Sequence, residues 1–152
     1  KITGFLKEHQ IPVLVRHTHS LPELVDDPYD LTYALPRTLV EAGLLVGLQN
    51  DGTMMHNNRN LPFYAGHLVG QGMDPETALQ LITGNTAKIL GIDARYGTLA
   101  TGKSATLFIS GGDALDMRGN QLTHAFIDGR EISLETHQTE LWKRYVEKYA
   151  RQ

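Results

Sequence analysis

At 152 residues, 41% hydrophobic and 20% charged, the chain has the composition of a folded domain with a real core, not of a disordered segment. Its formal charge of −3 supplies no global positive field, so neither nucleic acid nor a membrane is expected as a partner. It has no cysteine for a disulfide or a Cys-ligated zinc, and no apolar run near the roughly 20 residues that span a bilayer.

The chain opens on KITGFLKEHQ, with no initiator Met and no signal-peptide core. Ile2, Phe5 and Leu6 fall at helical spacing, and Ile11 to Val15 is a short buried-strand run. The expectation is a fragment that begins inside an αβ unit. Residues 17–35 read as a long polar loop, dense in turn formers around Asp26-Asp27-Pro28, and loops of that length are commonly functional. Pro36 then fits the first turn of a helix to Ala42, stopped by Gly43. Leu44 to Leu48 is a second apolar strand, followed by the polar segment QNDGTMMHNNRN.

Pro62 to Gly72 reads as a helix. Asp74-Pro75 starts another, with Asp as cap and Pro in the first turn, and Asn85 is expected to recap a short helix ending at Gly91. Residues 1–91 thus alternate helix and strand, the pattern of βα units with a parallel sheet. After Ile92 the sequence becomes strand-rich and Gly-punctuated, with a hairpin turn at Asp128-Gly129. An amphipathic helix follows from about Leu134 to Tyr149. Two parallel apolar strands leave unpaired edges, so something further must complete the sheet.

Polar residues just past the C-terminal ends of parallel strands are where such folds place their sites. Two clusters qualify: Arg16-His17-Thr18-His19 and Asn50-Asp51-Gly52. Asp51 reads either as a metal or proton-transfer carboxylate or as an ordinary Asp-Gly turn former. His17 and His19 read either as an HxH metal pair or as loop residues. Arg59 is a candidate clamp for a substrate carboxylate, with Asn57 beside it, while a solvated loop Arg is the alternative. His67 and His124 read as structural or exposed.

Thr83, Asn85, Ala87, Leu90 and Gly91 form a T-x-N-x-A-x-x-L-G motif, and Gly97, Leu99, Gly102 and Lys103 form a G-x-L-x-x-G-K segment. Together they resemble the closing segment of the amidohydrolase superfamily, especially its imidazolonepropionase-like branch. Where most members place an acidic residue after Gly-Lys, this chain has Ser104-Ala105-Thr106. The resemblance implies an α/β fold: the last two βα units of a (β/α)8 TIM-like barrel at 1–91, β-sandwich strands at 92–133, and a C-terminal helix at 134–152. It places Asp51 at the end of barrel strand eight, as both metal ligand and proton shuttle. It demotes His17 and His19, because the family's HxH pair lies on strand one, and leaves His19, Asn57 and Arg59 as substrate-binding candidates.

The implied activity is hydrolysis of an amide or cyclic-amide C–N bond with a divalent metal, zinc by expectation. The remaining ligands would lie outside this chain, which alone would be inactive. The implied partners are the rest of the barrel, a small-molecule substrate and a possible second copy in a homo-oligomer. Two other readings stay open: a non-catalytic assembly module, and an autonomous metal-binding domain using His17, His19 and Asp51.

Overall fold

The computed structural model describes residues 2–16, 18–50 and 55–150, with the side chains of residues 55–57 left aside. In chain order the elements are α1 (Ile2–Glu8), β1 (Val13–Val15), α2 (Leu31–Glu41), β2 (Val46–Leu48), a 3-10 turn (Met55–Asn60), α3 (Leu61–Gly70), α4 (Pro75–Ile82) and α5 (Gly84–Ile89). There follow β3 (Leu107–Ser110), β4 (Leu122–Ile127), β5 (Arg130–Glu131) and α6 (His137–Ala150). This is the α/β class, with helices packed on a parallel pair and a separate antiparallel sheet behind it in the chain.

β1 and β2 pair in parallel, Val13 against Val46 and Val15 against Leu48. Their apolar side chains remove β2 from water along its whole length, and Val15, Val46 and Leu48 join Ala65, Leu68, Ala78 and Leu81 in one core. Gly47 is required inside β2. A Cβ there would lie 2.8 Å from Thr86 Oγ1, 2.9 Å from Leu14 Cδ2 and 3.2 Å from Ile89 Cδ1, so α5 and β1 close flush on the bare backbone.

α2 differs from expectation. It begins at Leu31, five residues before Pro36, and carries Pro36 inside the helix with its ring fully buried. The loop expected at 17–35 is correspondingly shorter. Burial of the ring against the core offsets the interior hydrogen bond that proline cannot donate.

Asp74 caps α4 as its sequence demands, accepting from the Thr77 amide at 2.9 Å with Pro75 in the first turn. Asn85, by contrast, is not the cap of α5. Thr83 occupies that position, and Asn85 sits in the first turn with Nδ2 donating to the Val46 carbonyl at 3.0 Å. A local reading assigns Asn to capping, but here a strand carbonyl 39 positions earlier is the stronger acceptor because it is otherwise enclosed.

The second sheet runs β3-β4-β5, antiparallel throughout. Its hairpin turns at Asp128 (φ 48°) and Gly129 (φ 80°), the paired positive φ values of a type I′ turn. Ser104 Oγ donates to Asp128 Oδ1, and the Asp128 amide donates to Thr106 Oγ1 at 3.1 Å. The segment after Gly-Lys is thus tied to the hairpin tip. Lys103 Nζ donates to the Asp93 carbonyl at 2.6 Å and to Thr98 Oγ1 at 2.7 Å, which gathers the loop that carries the sequence from α5 to β3.

Candidate active site

Because β1 and β2 are adjacent, parallel and in register, the two strands end at the same side of the sheet. The ladder continues one step past the strands, where the Gln49 amide donates to the Val15 carbonyl at 2.9 Å. Beyond it, Thr18 is buried, and Asn50 Nδ2 is a buried donor with no hydrogen-bond partner among the described residues. An orphan amide at a strand end calls for an acceptor supplied by some further group. Asp51 and His17 themselves lie outside the described residues, as does the side chain of Asn57. Arg59 is exposed at the end of the 3-10 turn.

His19 is the one sequence candidate whose surroundings are fully defined. Its ring meets Tyr64 edge-on at a centroid distance of 4.5 Å and His67 edge-on at 4.8 Å. Tyr33 completes the group at 5.3 Å from His19 and 5.1 Å from His67. Partial burial, and secondarily the neighbouring His67, hold the His19 imidazole below its ordinary pKa, so it is neutral at pH 7. Thr32 Oγ1 donates to the Ser20 carbonyl, tying the loop that carries His19 to the first turn of α2. This packing sets His19 among aromatic neighbours from α2 and α3.

Sequence reasoning missed Tyr33, Tyr64 and His67, and set His67 aside. The available signal was the Tyr64–His67 spacing of three, which puts both rings on one face of a helix. The cluster borders a cleft of ≈ 620 Å³ that also takes in Asn60, Phe63, Asp113 and Met117. The turn at 113–117 reaches this cleft because Leu115 enters the core against Gly66, where a Cβ would lie only 2.0 Å from the Leu115 carbonyl oxygen.

No group of three or more His, Cys, Asp or Glu side chains able to hold a metal forms among the described residues. The described residues therefore do not by themselves fit a metal.

Comparison with known proteins places this architecture. The amidohydrolase family profile matches residues 31–132. Adenine deaminase 3 of Rhizobium meliloti is 33% identical over 86 residues, covering 57% of this chain and 13% of that protein. Imidazolonepropionase of Flavobacterium psychrophilum is 30% identical over 111 residues, covering 67% of this chain and 27% of that protein. Among solved structures, an amidohydrolase from Thermotoga maritima MSB8 superposes with a TM-score of 0.74 at 30% identity, over 87% of this chain and 34% of that one. The chain thus spans between 13% and 27% of the length of these curated relatives. Matched over most of its length by profile, sequence and structure, the chain belongs to the amidohydrolase family, on its imidazolonepropionase-like branch.

Proposed function

We propose that this chain supplies the last two βα units of a (β/α)8 barrel, together with strands of a small β-sandwich, to an enzyme that hydrolyses an amide or cyclic-amide C–N bond. The observation that carries the reading is the parallel β1–β2 pair, whose strands end on one side of the sheet, with Asp51 the third residue in the sequence after β2. Asp51 is the proposed metal-site carboxylate. A divalent ion, zinc by expectation, needs further ligands from strands beyond these residues, and when bound it supplies a water acidified toward neutral pH. Asp51 would help hold that ion, and its carboxylate would take up a proton during hydrolysis and return it to the leaving nitrogen. His19, Asn57 and Arg59 are the proposed substrate contacts, with the neutral His19 ring offering a hydrogen bond and Arg59 a bidentate grip on a carboxylate.

The test joins this chain to the N-terminal strands of the barrel, loads the product with zinc and assays amides and cyclic amides. Asp51→Asn is expected to lower kcat by roughly 10²–10⁴, and the chain alone to hydrolyse nothing. Full activity in the Asp51→Asn protein would overturn the assignment.

A further inference from the structure

Two contacts, one helical turn apart, join α2 to α3. In the first, Tyr33 of α2 lies beside His67 of α3, with ring centroids 5.1 Å apart. In the second, four residues further along each segment, Arg37 Nη1 donates to the Gln71 carbonyl at the C-terminal cap of α3. That bond satisfies one of the carbonyls a helix end leaves open. The guanidinium is held in turn by Glu41, 2.7 Å from Arg37 Nε. Gln71 also reaches back to His67, its Nε2 lying 3.4 Å from the ring Nε2. An amide nitrogen only donates, so this ring nitrogen accepts and the His67 proton sits on Nδ1.

His19 rests against this braced pair. Tyr64 and His67 meet its ring edge-on and Tyr33 meets it at a tilt, with every centroid within 5.3 Å. Such contacts fix an imidazole without using its nitrogens. Among the described residues no hydrogen bond takes up either nitrogen of His19, which is exposed and borders the ≈ 620 Å³ cleft. His67 differs, with one nitrogen engaged by Gln71.

We propose that Tyr33, Tyr64 and His67, braced by Arg37, are positioning residues that hold the His19 ring at the cleft for substrate. Their role depends on His19 being the substrate contact proposed for it. His19 stands on a loop, four residues beyond β1, where an imidazole unsupported by neighbours turns freely about its side-chain torsions. The bond from Thr32 to the Ser20 carbonyl anchors the backbone of that loop but not the ring. The rings of α2 and α3 remove the remaining freedom before substrate arrives, so binding does not have to order His19. Loss of a supporting ring therefore weakens substrate binding more than turnover.

The test reads the ring in the intact chain and its effect in the barrel-joined, zinc-loaded enzyme. In the intact chain the carbon-bound ring protons of His19 are expected to carry ring-current shifts in proton–carbon NMR at neutral pH. Tyr64→Leu and His67→Leu should return them toward free-histidine values, whereas Tyr64→Phe, which keeps the ring, should not. In the joined enzyme, with the amide or cyclic amide it hydrolyses fastest as probe, each Leu variant should raise KM about tenfold and leave kcat within about twofold. Arg37→Met, which removes only the brace, should raise KM roughly threefold. Tyr64→Phe should keep the parent KM, as should His124→Ala on the hairpin of the second sheet. An unchanged KM in both Leu variants, beside a raised KM in His19→Ala, overturns the positioning role alone. An unchanged KM in His19→Ala removes the substrate role of His19 and the proposal with it. A Tyr64→Phe defect as large as that of Tyr64→Leu also overturns it, because the hydroxyl and not the ring would then act. Unshifted His19 protons in the parent chain overturn it without recourse to activity.

Discussion

The parallel and antiparallel parts of this molecule differ in who covers their apolar side chains. Around β1 and β2 the chain closes its own core: Val46, Ala65, Leu68, Ala78 and Leu81 are sealed by α3, α4 and α5. In β3–β5 and α6 no strand or helix residue reaches that state, and Phe108, Ile109, Leu122 and Ile127 remain largely exposed. Leu115, between β3 and β4, is the residue of the second part that enters the core of the first. A section that seals its own core can hold a fixed geometry, and a section with bare apolar faces offers surfaces for other groups. β1 and β2 belong to the first kind, and α6 to the second.

Substitutions sharpen this contrast. Leu81→Ala, at a sealed position, should cost about 2–5 kcal/mol in urea denaturation, from lost burial and an unfilled cavity. A loss below 1 kcal/mol would show that the helices do not close the core. Gly66→Ala should cost about 1–3 kcal/mol by driving a methyl into the Leu115 carbonyl. Exchange of the 113–117 amides should rise with it, since that turn must back away. Asn85→Ala leaves the Val46 carbonyl enclosed without its donor and should cost about 1–2 kcal/mol, with Asn85→Asp no better because a carboxylate cannot donate. Phe108→Ala, on the open sheet, should change stability by no more than about 0.5 kcal/mol in the chain alone. A larger loss would mean that the sheet already has a partner face.

The smallest effect is a pH slope from His19. Its folded pKa is lowered, so as pH falls the unfolded chain takes the proton first. The packing of His19 therefore stabilises fully above its ordinary value near 6.5, and that contribution is lost as pH falls through 6.5 toward the lowered folded value. Comparing urea midpoints at neutral and mildly acidic pH, His19→Gln should show a shallower loss than the parent chain. Equal slopes would place the His19 ring in free solvent.

Local features were legible because their causes are local. Asp74-Pro75 starts a helix wherever a cap and a preset φ precede apolar spacing, and Asp128-Gly129 turns a hairpin because both positions tolerate positive φ. The alternation of α1 through α5 with two apolar strands announced a parallel sheet for the same reason. Pro36 was misread because burial of its ring outweighs its usual place at a helix start. Asn85 was misread because its acceptor lies across the fold. His67 was passed over because nothing in its own segment reveals Tyr33 and His19 beside it.

The sequence by itself thus determined the elements, the parallel pairing and the strand end from which Asp51 follows, since side-chain periodicity and turn chemistry act over a few residues. Only the tertiary structure decided that Asn85 holds Val46, that Leu115 is clamped against Gly66, and that three rings gather around His19. Those contacts join positions tens of residues apart, and packing in three dimensions alone brings them within bonding distance.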